Sequence, residues 1–294
     1  LNTHNISVMS DNRENGSGMV TIHTTNPDQG NQLDITETDT YKDGNLTDRL
    51  QQGTGRDREL VYLHESGRFN SQGILISGTR EEGRSKDDPE LRSYVVTNMN
   101  IEEAQSRYPV LMGAMAVEGA TMVVVATSGD SISLTPLASD GKQIKVKGGA
   151  ISVSQDLNTH NISVMSDNRE NGSGTVTIHT INPGNQLDIT ETDTYTNSNL
   201  TDRLQQGTGR DGESVYLHEK GEFNSQGILI SGTGEEGKSA NDSELRRFNV
   251  SNITVNEANS QHSALMSAMG DIGGATMVVV ATSGDSISLT PLAS

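Results

Sequence analysis

Short runs in which apolar and polar residues alternate recur along the whole chain. A period of two sends successive side chains to opposite faces of a β-strand, so the pattern predicts strands with one buried and one solvated face. Clusters of Gly, Asn, Asp and Ser separate the runs and are typical of turns. The "ENGSG" stretch at 14–18 is expected to be a hairpin loop, and a short helical turn is expected at 45–52. In the first half of the chain, strands are predicted at 19–24, 32–39, 59–65, 73–78, 93–101, 120–127 and 131–137.

A helical pattern is expected once in each half of the chain. The stretch 100–115 offers Asn100 as an N-cap and two acids in the first turn, which favours a helix. Pro109 interrupts this stretch. The second half has Ser263 at the matching position, so its helix at 256–269 is expected to be more regular.

The second half of the chain repeats the first with an offset of 154 to 156 residues. Where the halves diverge most, at 84–118 and 238–273, the apolar positions persist while the polar ones change. This pattern predicts two structural units of the same kind. The longest unchanged blocks are 1–18, which returns at 157–174, and 119–139, which returns at 274–294.

The predicted fold is all-β, with two tandem duplicated, β-rich, sandwich-like domains that carry one short helix each. The domains are expected at 1–139 and 157–294, joined by a connector at 140–156 that occurs once. Two units with one connector predict either a part of a longer array or a subunit whose neighbours supply the missing connector contacts. The alternative fold is a continuous β-solenoid. In its even strand spacing, 131–166 resembles β-helical surface adhesins of the filamentous-haemagglutinin type, which implies the solenoid.

Composition limits the function classes. Hydrophobic residues make up 31% of the 294 residues, Trp is absent and Phe occurs three times, so a thin aliphatic core is expected. The net charge is −18, from 21 basic and 39 acidic residues, which argues against nucleic-acid partners and anionic membranes. The chain has no Cys, which excludes disulfides and thiolate catalysis. Membrane insertion is not expected, because no apolar run approaches the roughly 20 residues of a spanning helix.

No sequence motif indicates an enzyme or a cofactor. The "GTGRDG" match at 207–212 lacks the preceding strand and following helix that a phosphate-binding loop needs. Histidines recur at matching positions of the two repeats, but none has the i, i+4 spacing of a helical metal site. Asp39, Asp43 and Asp48 form a weak candidate for an irregular Ca²⁺ site, and a solvated acidic turn is the favoured interpretation.

The N-x-S/T sequence, the acceptor for N-linked glycans, is frequent in this chain. Glycans belong on exposed surfaces of exported proteins, so these positions predict an extracellular or cell-surface glycoprotein. The candidate sites are Asn5, Asn15, Asn45, Asn161, Asn171, Asn199, Asn241, Asn249 and Asn252.

The connector contains the densest basic patch in this acidic chain, and Ile144 and Val146 alternate there with Lys145 and Lys147. One interpretation is an edge strand that its lysines protect from aggregation. The other is a strand that pairs with the open sheet edge of a neighbouring unit. These four residues are therefore the candidates for assembly.

The sequence favours a non-enzymatic structural protein: a subunit of an extracellular filament, surface layer or adhesin stalk that assembles with itself head to tail through β-strand contacts. One alternative is a secreted β-protein that binds or cleaves carbohydrate, with surface glycans as partners. The scarcity of aromatic residues counts against it. Another alternative is a segment of a phage fibre, which would form a trimer.

Overall fold

The structure is a computed structural model that describes residues 5–26, 33–55, 59–116, 118–146, 149–270, 272–284 and 286–293. The chain divides into two compact units, 1–168 and 169–294. The connector lies within unit 1, together with the first strand of the second sequence repeat.

Both units are built from antiparallel β-strands, so the all-β prediction is confirmed. The strands of unit 1 are β1 (Ile6–Asp11), β2 (Gly18–Thr25), β3 (Asp34–Lys42), β4 (Asn45–Thr54), β5 (Leu60–Phe69), β6 (Leu75–Gly83), β7 (Arg92–Asn100), β8 (Met122–Thr127), β9 (Ser131–Leu137), β10 (Lys145–Val146), β11 (Gly149–Asp156) and β12 (Ile162–Asp167). The strands of unit 2 are β13 (Gly174–Ile181), β14 (Asp188–Thr196), β15 (Asn199–Thr208), β16 (Ser214–Phe223), β17 (Leu229–Gly237), β18 (Arg246–Thr254), β19 (Ala275–Ser283) and β20 (Ser286–Ala293).

Each sheet is a meander in which a strand pairs with the next strand along the chain. In unit 1 this holds from β1 to β9, after which β9 pairs with β11, and β11 pairs with β10 and β12. In unit 2 it holds from β13 to β20. Each unit is therefore an antiparallel meander, and the sandwich-like packing of its strands stays a prediction. The antiparallel pairing of neighbouring strands also differs from the parallel coils of a solenoid.

A two-residue turn forms the predicted hairpin loop. At the predicted loop of 14–18, Asn15 and Gly16 have φ values of +51° and +79°, as a type I′ turn requires. The Glu14 and Ser17 backbones bond each other across it, which confirms the hairpin. The expected helical turn at 45–52 is wrong. These residues belong to β4, where strand neighbours on both sides satisfy the backbone.

The helical stretch of each unit consists of two short helices instead of one. They are α1 (Ile101–Arg107) and α2 (Pro109–Met115) in unit 1, and α3 (Val255–Gln261) and α4 (Ser263–Met269) in unit 2. The break comes at Tyr108 and at His262, whose φ values are −129° and −131°. Because unit 2 breaks without a proline, the expectation of a more regular second helix is wrong.

Thin aliphatic clusters form the core, as the composition predicts. In unit 1 the buried Leu75, Val96, Val124 and Leu137 pack together with the partly buried Phe69.

In unit 2 both faces of β19 are covered. Ala258 of α3 and Met266 of α4 pack on Val278 and Val280, while Val279 packs with Leu229 on the other face. The apolar run "MVVVA" is therefore buried on both faces, which is why it does not alternate.

Candidate functional site

A row of charged side chains crosses the sheet of each unit. In unit 1 the register places Arg49 of β4 between Asp39 of β3 and Glu65 of β5. The Nε of Arg49 donates to Oδ1 of Asp39 at 3.0 Å, and its Nη1 lies 3.9 Å from Oε2 of Glu65. Unit 2 repeats the row with Asp193, Arg203 and Glu219.

The surroundings of the row indicate a structural role. Arg49 lies 5.6 Å from the centre of the Phe69 ring and donates to the Gly73 carbonyl oxygen at 3.0 Å. Burial by itself lowers the pKa of Arg49, but the hydrogen bond that it donates to Asp39 and the charges of the nearby acids raise its pKa overall. Burial raises the pKa of the Glu65 carboxyl. The half-buried arginine thus connects β3, β4 and the β5–β6 turn, and its acidic partners offset the cost of removing its charge from water.

The two units differ at the far end of this row. In unit 1 the row continues through Arg80 to Tyr94, whereas unit 2 has Gly234 and Phe248 there. The Phe248 ring lies over Gly234, so that a Cβ atom at Gly234 would be 2.1 Å from the ring. A surface groove of about 510 Å³ opens beside this pair in unit 2. Its lining includes His218, Lys220, Glu235, Arg247 and Phe248.

The strand histidines pair with aspartates of the neighbouring strands. His64 Nε2 lies 2.9 Å from Asp48 Oδ2, and His23 Nε2 lies 2.8 Å from Asp34 Oδ1. Each pair joins two strands of one sheet. Unit 2 repeats them as His218 with Asp202 and His179 with Asp188.

The three carboxylates of the calcium candidate do not converge. Asp39 contacts Arg49, and Asp43 lies in the β3–β4 turn with a φ of +51°. Asp48 contacts His64 and is paired with Thr40, the residue after Asp39. Because successive residues point to opposite faces of a strand, Asp39 and Asp48 lie on opposite faces of the sheet.

Most of the candidate glycosylation sites are exposed. Asn161 and Asn252 are half-buried. The exposed ones are Asn5, Asn15, Asn45, Asn171, Asn199, Asn241 and Asn249. The structure therefore leaves these seven side chains accessible to solvent.

The connector forms a small hairpin on the outer edge of β9. Lys145 and Val146 are exposed and pair with Ala150 and Gly149 of β11. The Ile144 backbone N–H donates to the Pro136 carbonyl oxygen at 3.0 Å. Lys147 lies outside the described residues. Three of the four assembly candidates thus belong to a segment that pairs within its own unit.

One strand sequence occurs in two very different environments. "ISVMSD" forms β1 and also β12. In β12, β11 pairs along one edge and Ile162 is fully buried. In β1 all six residues are exposed; Ile6 is 53% and Val8 is 64% accessible. Among the described residues, β1 pairs only with β2. Its other edge, with Ile6, Val8 and Met9 exposed beside it, is the candidate functional site.

No family model, curated protein or solved structure matches this chain. The part of the chain that the structure describes contains no group of three or more His, Cys, Asp or Glu side chains placed to hold a metal ion. In the same residues, no helix is long and apolar enough to cross a membrane.

The sequence interpretation missed the charge row, although a signal for it exists. Asp39 and Arg49 lie at nearly equal distances from the Asp43–Gly44 turn, so a hairpin centred there pairs them. The same spacing recurs between Asp193 and Arg203. The expectation of a helical turn at 45–52 hid this register.

Proposed function

We propose that this chain is a non-enzymatic structural subunit of an extracellular filament, surface layer or adhesin stalk. Copies of the chain join head to tail through β-strand contacts.

The observation that carries the proposal is the exposure of β1. Long open edge strands are aggregation-prone, and proteins usually protect them with Lys, Pro or a covering segment. β1 contains neither Lys nor Pro, and its Ile6, Val8 and Met9 are exposed together. An unprotected apolar edge suits a strand that meets a partner. The same strand sequence is covered on this side in β12, which supports a β-strand partner.

Sedimentation velocity over a wide concentration range, with negative-stain electron microscopy of the same samples, tests this proposal. The native chain should form linear particles whose mass grows with concentration. Val8→Lys should abolish them, because a charge on the edge opposes strand pairing. Val95→Lys is the matched control, since Val95 is equally exposed but lies on β7, which pairs on both edges. A monodisperse monomer at every concentration would overturn the proposal, and a discrete trimer would favour the phage-fibre alternative.

The extracellular location is part of the proposal, and the exposed glycosylation candidates support it. Mass spectrometry of peptides from the native material, with and without enzymatic deglycosylation, tests it. Glycans should be found at exposed sites such as Asn15 and Asn171. Unmodified asparagine at every site would remove this support.

A second candidate, carbohydrate binding, rests on the groove of unit 2. Its polar side chains could bind hydroxyl groups, and Phe248 supplies an apolar face. A glycan array probed with the native chain and with Phe248→Ala would test it. Binding that Phe248→Ala abolishes would support this candidate.

A further inference from the structure

The outer edge of β20 has the same sequence as an edge that is covered elsewhere in the chain. Residues 119–139 and 274–294 are identical, so β9 and β20 carry the same side chains. In unit 1, β11 pairs with β9 from Ser131 to Leu134. In the described residues of unit 2, β20 pairs only with β19.

The burial of matching side chains differs accordingly. Leu134 is fully buried and Pro136 is buried in β9. Their matches on β20, Leu289 and Pro291, are half-buried and exposed. Ile287 is 46% accessible. Because the sequences are identical, the difference comes from what surrounds each strand.

Helix α4 shows the same contrast independently. In unit 1, α2 packs against β11 and β12, and its Leu111 is 2% accessible. The matching Leu265 of α4 is 41% accessible. The apolar surface that β11 and β12 cover in unit 1 is thus open in unit 2, both on the last strand and on the helix.

We propose that the open edge of β20, together with Leu265, is an acceptor site for a strand with the connector sequence, residues 140–156. The inference rests on the proposed head-to-tail assembly. The incoming strand would be the connector of a neighbouring copy, exchanged out of its own sheet, where β11 otherwise pairs with β9 and β12. By analogy with β9, Val153 of the incoming strand would pair with Leu289, and Gln155 with Ile287. The Ile144 N–H would bond the Pro291 carbonyl oxygen, as it bonds Pro136 in unit 1.

The charge and pattern of the connector fit this site. It carries Lys142, Lys145 and Lys147 against two acids, whereas the whole chain has a net charge of −18. Ile151 and Val153 are buried in unit 1 and alternate with half-buried polar residues. Strand addition of this kind takes its affinity from backbone hydrogen bonds and its specificity from alternate side chains.

The first test uses a fluorescent synthetic peptide of residues 140–156 with the full chain, and fluorescence anisotropy as the readout. The peptide should bind, and Ile287→Lys and Leu265→Lys should each weaken binding at least tenfold. Both side chains are already partly exposed, so these variants should fold. Val110→Lys, on the exposed part of α2 in unit 1, is the matched control and should bind normally. A peptide with Ile151→Asp and Val153→Asp should not bind. Equal binding to all variants would overturn the inference.

A second measurement covers the case of a peptide that binds too weakly in trans. A variant with residues 140–156 appended after Ser294 should bring the strand beside β20 at high effective concentration. Hydrogen exchange should then slow at the β20 amides and thermal unfolding should shift upward. The same extension with Ile151→Asp and Val153→Asp should do neither. Failure of both the peptide and the extension overturns the inference.

The outcomes separate this inference from the proposed function. Linear assembly without connector binding would support the proposed function and contradict the inference that β20 is an acceptor site. Assembly through direct pairing of β20 with another copy, insensitive to added peptide, would also contradict the inference. Connector binding in a protein that never assembles would support the acceptor site and contradict the proposed function.

Discussion

At Gly78 the backbone φ is +146°, and a Cβ atom there would lie 2.0 Å from the Ser66 carbonyl oxygen. Gly78 pairs with Gly67, whose φ is +145°, and unit 2 repeats the pair as Gly232 and Gly221. Only glycine adopts this backbone region without strain. The two glycines therefore allow the backbones of β5 and β6 to approach closely.

Gly78→Ala should accordingly lower the free energy of unfolding by about 3 kcal/mol. Urea unfolding followed by circular dichroism measures this change. Gly113→Ala is the control, because Gly113 lies in α2 with open space around it, and alanine there should stabilise by up to about 1 kcal/mol. Similar stabilities for Gly78→Ala and the parent would contradict the steric argument.

The partly buried carboxyl of Glu65 predicts a pH effect on stability. Burial raises its pKa in the folded state above the unfolded value of about 4.3. Its contribution to stability is complete below the unfolded pKa and is lost as the pH rises through the folded pKa. Relative to the parent, Glu65→Gln should therefore gain stability as the pH rises from about 3.5 to about 7. Urea midpoints over this range measure the gain, and Glu90→Gln, at an exposed site, should show none.

At the scale of elements, the short helices depend on their caps more than on length. Asn100 Oδ1 accepts the Glu103 N–H at 2.8 Å. In unit 2, Thr254 and Glu257 form a full capping box, in which each side chain bonds the other residue's backbone. Helices of seven residues are too short to be stable alone, so capping and packing on the sheet hold them.

Thr254→Ala should lower the free energy of unfolding of unit 2 by about 1 kcal/mol, because it leaves the Glu257 N–H without its cap. Thr254→Ser keeps the hydroxyl and should behave like the parent. Urea unfolding measures the difference. A Thr254→Ala variant as stable as Thr254→Ser would show that packing alone holds the helix.

Sequence patterns predicted an element best where the residues of that element specify its backbone conformation themselves. The Asn15–Gly16 loop follows from the preference of both residues for positive φ. The helix break at His262 does not follow from the sequence, because no proline marks it. The identity of β4 depends on its two neighbours, and Leu46 and Leu50 have the spacing of a helix face as well.

At the scale of the whole molecule, the net charge of −18 opposes contact between copies of the chain. Screening shortens the Debye length from about 30 Å at 0.01 M salt to about 8 Å at 0.15 M. The proposed assembly should therefore grow with NaCl over this range, as sedimentation velocity can measure. CaCl₂ at equal ionic strength should act like NaCl, since Asp39 and Asp48 lie on opposite faces of the sheet. Assembly that requires calcium would contradict this expectation and indicate a specific calcium site.

Most of the strands, the hairpin loop at 14–18, the thin aliphatic core and the repetition of the unit could be predicted from the sequence. Each of these depends on residues that are neighbours along the chain or on composition. Which strand edges are covered follows only from the three-dimensional arrangement of the strands. "ISVMSD" is exposed in β1 and partly buried in β12, and the identical β9 and β20 differ in the same way. Burial depends on the segment that lies alongside a strand, and no pattern within the strand specifies that neighbour.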